Sequence, residues 1–265
     1  MKKISVFLSA CLALGLLLVA PASMAQNKSK LTQVLERGTL RVGTTGDFNP
    51  MSIKDTASNT YTGFDVDAVT QLAADMGVKL EFVPAEWATL VNGIVADRFD
   101  IFSGASISMA RAKTVAFSNP YLYAGAVPLV VQKAAAKFPT WASLNQPNVT
   151  VAVLMGTTFE QQARQHFPKA KIRAVEKPAT GYQEVLAGRA NATLTSNVEA
   201  ATLMHTYPDL RMVGGTAEMR NKRPFAYPLP QGDDVWLTFV NNWIALKQAE
   251  GFFDTLEAKW LSAKK

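Results

Sequence analysis

Cysteine is almost missing from this 265-residue chain: Cys11 is the only one, and histidine occurs only as His166 and His205. With Cys11 assigned to a removable leader, disulfides, thiol nucleophiles and thiolate metal sites are all excluded. Two distant histidines give no metal-ligand spacing, and no Gly-x-Ser-x-Gly nucleophile elbow is present. No metal and no cofactor are therefore expected. The formal charge of +6 is a mild excess, so nucleic acid is not an expected partner. The same excess would help draw an anionic solute into a cleft, and it also serves ordinary solubility. No low-complexity segment or short repeat appears.

What is present begins at the first residues. In MKKISVFLSACLALGLLLVAPASMA, Lys2 and Lys3 precede an apolar run from Ile4 to Ala20, and small residues follow at Ser23 and Ala25. This is the pattern of a secretory signal peptide over residues 1–25, cleaved after Ala25. The run is shorter than the roughly 20 apolar residues a permanent span needs. Leu8-Ser9-Ala10-Cys11 has the form of a lipoprotein box, but the apolar run continues well past Cys11 where a lipoprotein turns polar. An exported chain without cysteine fits a bacterial periplasm. The remaining chain is long enough to rest on an apolar core alone.

Beyond the leader, strand and helix patterns alternate. TLRVGTT (39–45) reads as a strand, and DVDAVTQLAADM (65–76) carries apolar residues at helical spacing up to Gly77. VKLEFVP alternates as a strand, WATLVNGIVADRF (87–99) reads as a helix, and DIFSGAS (100–106) as a third strand. A second run follows: strands VTVAVLMGTT, KIRAVE and ANATLTS, interleaved with helices FEQQARQHF, GYQEVLAG and VEAATLMHTY. Thr157 or Thr158 would cap the first of these helices. Two further helices at the C-terminus separate at Gly251. Two alternating runs argue for two α/β lobes with largely parallel sheets. Small ligands bind such sheets beyond the carboxyl ends of the strands, so the crevice between lobes is the expected site.

Several segments, in order along the chain, carry a resemblance. LRVGTTGDFNPMS, YTGFDVDAVTQLAADMGVKLEFV, WATLVNGIVADRFDI, SISMARAKTVAFSNPY, MGTTFEQ and GFFDTLEAKWL together resemble bacterial periplasmic solute-binding proteins of family 3, the polar amino-acid type. The resemblance implies a type II periplasmic-binding-protein fold, two α/β lobes joined by two hinge strands with the ligand cleft between them. It implies a discontinuous lobe 1 (31–127 plus 224–265), a lobe 2 at 128–223, and crossings near 127–131 and 220–225. It also implies a monomer that captures a small anionic or zwitterionic solute and delivers it to an inner-membrane ABC permease.

The resemblance singles out residues whose chemistry suits that task. Arg111 offers a planar fork of donors matching a ligand carboxylate, with Ser106 and the backbone of Gly104 beside it. The alternative is a surface arginine held in water. Gly156-Thr157-Thr158 opens a helix, so free N–H groups and the positive dipole end can clamp an anion from lobe 2, or the threonines can simply cap. Phe48 and Trp87 stand where family members pack rings on the ligand, although an aromatic at either place, Trp87 above all, is more often core. Asp47 can cap its own turn. Asn197 occupies the place where amino-acid binders carry an aspartate for the ligand's ammonium. A neutral amide cannot neutralise a cation, which favours a carboxylate without an α-ammonium.

Within the family, TTGDF, GFDVD, DRFDI, SGASIS and FSNPYL are most similar to the cyclohexadienyl dehydratase branch, periplasmic enzymes that turn prephenate or arogenate into phenylpyruvate or phenylalanine. That likeness implies a general-acid glutamate in lobe 2, placed at Glu160, whose other reading is a first-turn helix residue favoured by the dipole. Those enzymes carry an acidic-Gly-Lys segment where this chain has Ala124-Gly125-Ala126. Without that second cation a buried dicarboxylate lacks a partner. A non-catalytic receptor is the favoured expectation, with the dehydratase as the alternative.

Overall fold

The computed structural model describes residues 28–261, so the expected signal peptide lies outside the described residues. Thr39–Thr44 forms a strand with Leu40 and Val42 fully buried. Lys79–Pro84 and Ile101–Phe102 flank it in a three-stranded parallel sheet. Parallel neighbours need crossovers, and the helices Phe64–Asp75 and Leu90–Val95 supply them. The second helix is shorter than the 87–99 pattern suggests. Residues 87–89 form a turn, and Asp97 at φ 54° ends the segment. A small antiparallel sheet of Asp47–Phe48, Ser52–Asp55 and Thr60–Thr62 gave no strand signal, because its strands are short and polar.

The strand expected over 100–106 is two pieces, Ile101–Phe102 and Ala105–Ser106, in different sheets. Gly104 separates them at φ 144°, and a Cβ there would fall 2.1 Å from the Tyr121 hydroxyl and 2.7 Å from Asp65 Oδ2. Only glycine fits that approach. Tyr121 donates to buried Asp65 at 2.6 Å, and burial holds the Asp65 carboxyl well above the usual carboxylate range.

The C-terminal helices Asp234–Ala249 and Phe252–Trp260 return to this first group of strands. Trp243 donates to Asp75 Oδ2 at 2.8 Å, Trp260 to Asp67 Oδ2 at 2.7 Å and Trp236 to the Asp100 carbonyl at 3.1 Å. Each indole thus buries a large apolar body while its N–H keeps a partner.

A larger mixed sheet carries the rest. Thr150–Leu154 lies parallel to Lys171–Val175 and to Ala192–Ser196, and the latter runs antiparallel to the long strand Leu122–Val131. Arg220–Ala226 pairs antiparallel with that long strand and then with Ala105–Ser106. The three-stranded sheet is thus parallel throughout, whereas the larger sheet is parallel on one side and antiparallel from Ala192–Ser196 onward.

The buried apolar side chains fall into two groups. One gathers residues from 34–124 and 225–256, the other from 126–213. Each fully buried leucine or phenylalanine adds about 2 kcal/mol to its own group. Two strands, Leu122–Val131 and Arg220–Ala226, pass between the groups. Their mutual pairing spans 122–126, earlier than the expected crossing at 127–131, because Val127 to Val130 already pair with Thr195 to Ala192. The fold is α/β, with two lobes joined by two strands.

Candidate functional site

In the second lobe, parallel strands end where helices begin. Leu154 leads through Gly156 to the N-cap Thr157, and Val175 leads to the N-cap Thr180. Ser196, at the end of its strand, caps the helix Asn197–Thr206. This geometry aims helix N-termini at one edge of the sheet. Thr157 Oγ1 accepts from the Glu160 N–H at 3.2 Å, which leaves the first-turn N–H groups of Thr158 and Phe159 without a side-chain cap.

Against this edge the two lobes enclose a cleft of about 650 Å³ counting its open mouth. Lobe one contributes Asp47, Phe48, Trp87, Ser106, Arg111 and Phe225. Lobe two contributes Thr157, Thr158, Phe159, Tyr182, Thr195 and Glu199, with Leu154, Leu194 and Leu203 behind them. Phe48 stacks on Phe225 and meets Trp87 edge-on, both at 5.9 Å, so three rings form one wall.

Arg111 is 8% exposed. Its Nη1 donates to the Ser106 carbonyl at 3.2 Å and its Nη2 to the Gly156 carbonyl at 3.1 Å, across the cleft. Its guanidinium carbon lies 5.9 Å from the Trp87 ring. Burial, and then the nearby Arg223, lower its pKa to about 10, so it stays charged at neutral pH. Among the described residues no carboxylate forms an ion pair with it. A buried guanidinium held only by carbonyls and a ring is short of an anion.

Two carboxyl groups share the cleft. Asp47 Oδ1 accepts from the Trp87 indole at 2.9 Å, while its buried Oδ2 has no hydrogen-bond partner and lies 4.0 Å from Lys177 Nζ. Glu199 is hydrogen-bonded to the Thr195 hydroxyl. It keeps an open side to the cleft and is enclosed elsewhere, and burial, with Asp47 as a lesser contributor, pushes its pKa up to about 8. At neutral pH Glu199 therefore holds a proton in the cleft.

Of the residues picked from sequence, Arg111, Ser106, Thr157, Thr158, Phe48 and Trp87 come together on the cleft walls. Three do not. Gly104 lies behind the wall against Tyr121 and Asp65, where it allows close packing. Asn197 points at the hinge, its Oδ1 accepting from the Gly125 N–H at 2.9 Å. Asn197 is thus engaged at the hinge, and the carboxylate nearest the aromatic wall of the cleft is Asp47. Glu160 turns away as well: Oε2 accepts from the Gly156 N–H at 2.9 Å and Oε1 from Arg164 at 2.9 Å. His166 is half-buried against Trp141 at 5.1 Å.

Sequence reasoning missed Glu199, Phe225, Tyr182 and Thr195. A signal for Glu199 did exist. Four residues after Glu160 stands Arg164, a natural salt-bridge partner, whereas four residues after Glu199 stands apolar Leu203. Glu199 meets the Thr195 hydroxyl four residues before it instead. Arg223 pairs opposite Ala124 and shares a strand face with the cleft-lining Phe225 two residues on.

Residues 40–263 match the profile of bacterial extracellular solute-binding proteins, family 3. The chain is 36% identical to a cyclohexadienyl dehydratase of Pseudomonas aeruginosa over 95% of this chain and 92% of that one. It is 32% identical to the L-cystine-binding protein TcyJ of Escherichia coli, over 88% of this chain and 86% of the other. Among solved structures, an ancestral amino acid-binding protein, AncCDT-1, described as a precursor of cyclohexadienyl dehydratase, superposes with a TM-score of 0.82. It is 40% identical, and the match covers 88% of this chain and all of that one.

Proposed function

The chain belongs to the family-3 bacterial extracellular solute-binding proteins, and from that premise we propose that it is a periplasmic receptor for a small amino-acid-like carboxylate, which it passes to an ABC permease. One observation carries this reading. Arg111 is buried and charged without an anion, in the same cleft as an Asp47 oxygen without a hydrogen-bond donor. A carboxylate on the first and an ammonium on the second satisfy both groups at once, which is the recognition a zwitterion provides. The aromatic wall of Phe48, Trp87 and Phe225 would hold the ligand body, and the N–H groups at Thr158 and Phe159 would reach the carboxylate from lobe two. On this reading lobe 1 would comprise 31–127 plus 224–265 and lobe 2 128–223, with closure as a population shift driven by contacts from both.

Isothermal titration with a panel of amino acids and organic acids tests the reading. Binding of an α-amino acid is expected, and Arg111→Met should weaken it by about a hundredfold or more. Equal affinity in that variant would remove the proposed carboxylate site.

A second reading is favoured by Glu199. A carboxyl that keeps its proton at neutral pH inside a closed cleft is suited to general-acid work. In a prephenate dehydratase, Glu199 would give its proton to the leaving hydroxyl. Water departs, and the electron pair of the breaking bond to carbon dioxide completes the aromatic ring. Arg111, with Arg223 at the hinge, would face the two carboxylates. Incubation with prephenate should then release phenylpyruvate, and Glu199→Gln should abolish the release. Absence of phenylpyruvate from the wild-type protein would leave the receptor reading alone.

A further inference from the structure

Lys177 belongs to lobe two, in the loop between the strand Lys171–Val175 and the helix Gly181–Leu186, yet its ammonium is held by lobe one. Nζ lies 2.8 Å from the Thr45 carbonyl, 3.2 Å from the Ala85 carbonyl and 3.0 Å from Glu86 Oε1. An ammonium has three donors; two are taken by the carbonyls of the opposite lobe, and Glu86 adds an ion pair from the same side. The two carbonyls lie just past the carboxyl ends of the lobe-one strands Thr39–Thr44 and Lys79–Pro84, where strands present their unpaired acceptors to a ligand or a partner. The same Nζ stands 4.0 Å from Asp47 Oδ2, the buried oxygen that has no hydrogen bond.

This cluster differs from the Arg111 to Gly156 contact, another polar bridge across the cleft, in what it does to charge. When the lobes part, Lys177 returns to water and Asp47 loses its nearest cation. When they close, a fixed positive charge arrives beside Asp47. A ligand ammonium placed on Asp47 then has a like charge for a neighbour, and a second ligand cation in that region is opposed further.

We propose that Lys177 is a tethered cation that latches the lobes together through Thr45, Ala85 and Glu86, and that it sets the charge of the ligand the cleft accepts by standing beside Asp47. The first half rests on the contacts alone. The second half rests on Asp47 receiving the ligand's cation, as in the receptor reading above.

One spin label on each lobe, with interlobe distances measured without ligand, tests the latch. Lys177→Met should shift the distribution toward longer distances, and Lys177→Arg, which keeps the charge, should restore the shorter ones. A distribution in Lys177→Met that matches the wild type would overturn the latch. Titration with L-lysine and L-glutamine, similar in length but different in charge, tests the selectivity. Lys177→Met should shift the affinity ratio toward L-lysine by about five- to tenfold, a partly exposed pair being worth less than a buried one. An unchanged ratio would overturn the selectivity role. If the wild-type protein binds neither amino acid, the zwitterion reading fails and the selectivity role fails with it, while the label distances still decide the latch.

Discussion

Glu199 shows how one side chain can link stability to pH. Its carboxyl has an ordinary value of 4.5 and is pushed up to about 8 by burial. A raised acid favours the folded state while both states hold the proton, below 4.5. As pH rises the unfolded chain ionises first, and this contribution to stability drains away until the folded carboxyl also ionises near 8. Glu199→Gln, which cannot ionise, should match the wild type at pH 4 and exceed it by about 2 kcal/mol at pH 8, a figure discounted for the carboxyl's open side. Urea unfolding at pH 4, 6 and 8 measures the difference. Parallel profiles across that range would mean the carboxyl is not raised.

At the scale of elements, the turn before the helix Thr158–His166 does two jobs. Gly156 sits at φ 75°, and its carbonyl accepts from Arg111. A Cβ there would come 2.4 Å from the Ala88 backbone, on the other lobe. Gly156→Ala should therefore hinder closure more than folding. Ligand affinity should fall about tenfold or more, while the positive φ costs the ligand-free protein about 1 kcal/mol. Titration calorimetry and urea unfolding on the same variant separate the two effects; a loss confined to stability would show that closure does not press the turn against Ala88.

At the scale of the molecule, both lobes contribute polar groups to the cleft walls, so on the receptor reading a ligand would touch both. Lobe one offers the guanidinium, Asp47 and the rings, and lobe two offers helix N-termini and Glu199. A ligand bound between them should slow amide exchange in the 106–111 and 156–160 segments together, because it stabilises a state in which both are enclosed. Protection confined to one segment would mean that the ligand sits on a single lobe.

Much of this was legible in order along the chain. The strand Thr39–Thr44, the helix Phe64–Asp75 and the break at Gly251 follow from apolar spacing and glycine stops, which act within a few residues. The polar hairpin at 47–62 and the split at Gly104 were not legible, because partners distant in sequence create them. The clearest division lies in two segments that look alike on paper. Thr157-Thr158-Phe159-Glu160 and Ser196-Asn197-Val198-Glu199 both place a hydroxyl cap three residues before a glutamate. The chain by itself determined both caps, since each hydroxyl accepts from the glutamate N–H of its own first turn. Only the tertiary structure decided the fate of the carboxyls. One folds back to the Gly156 N–H and Arg164, while the other meets Thr195 and the shared cleft, where the surrounding protein removes the water that would ionise it.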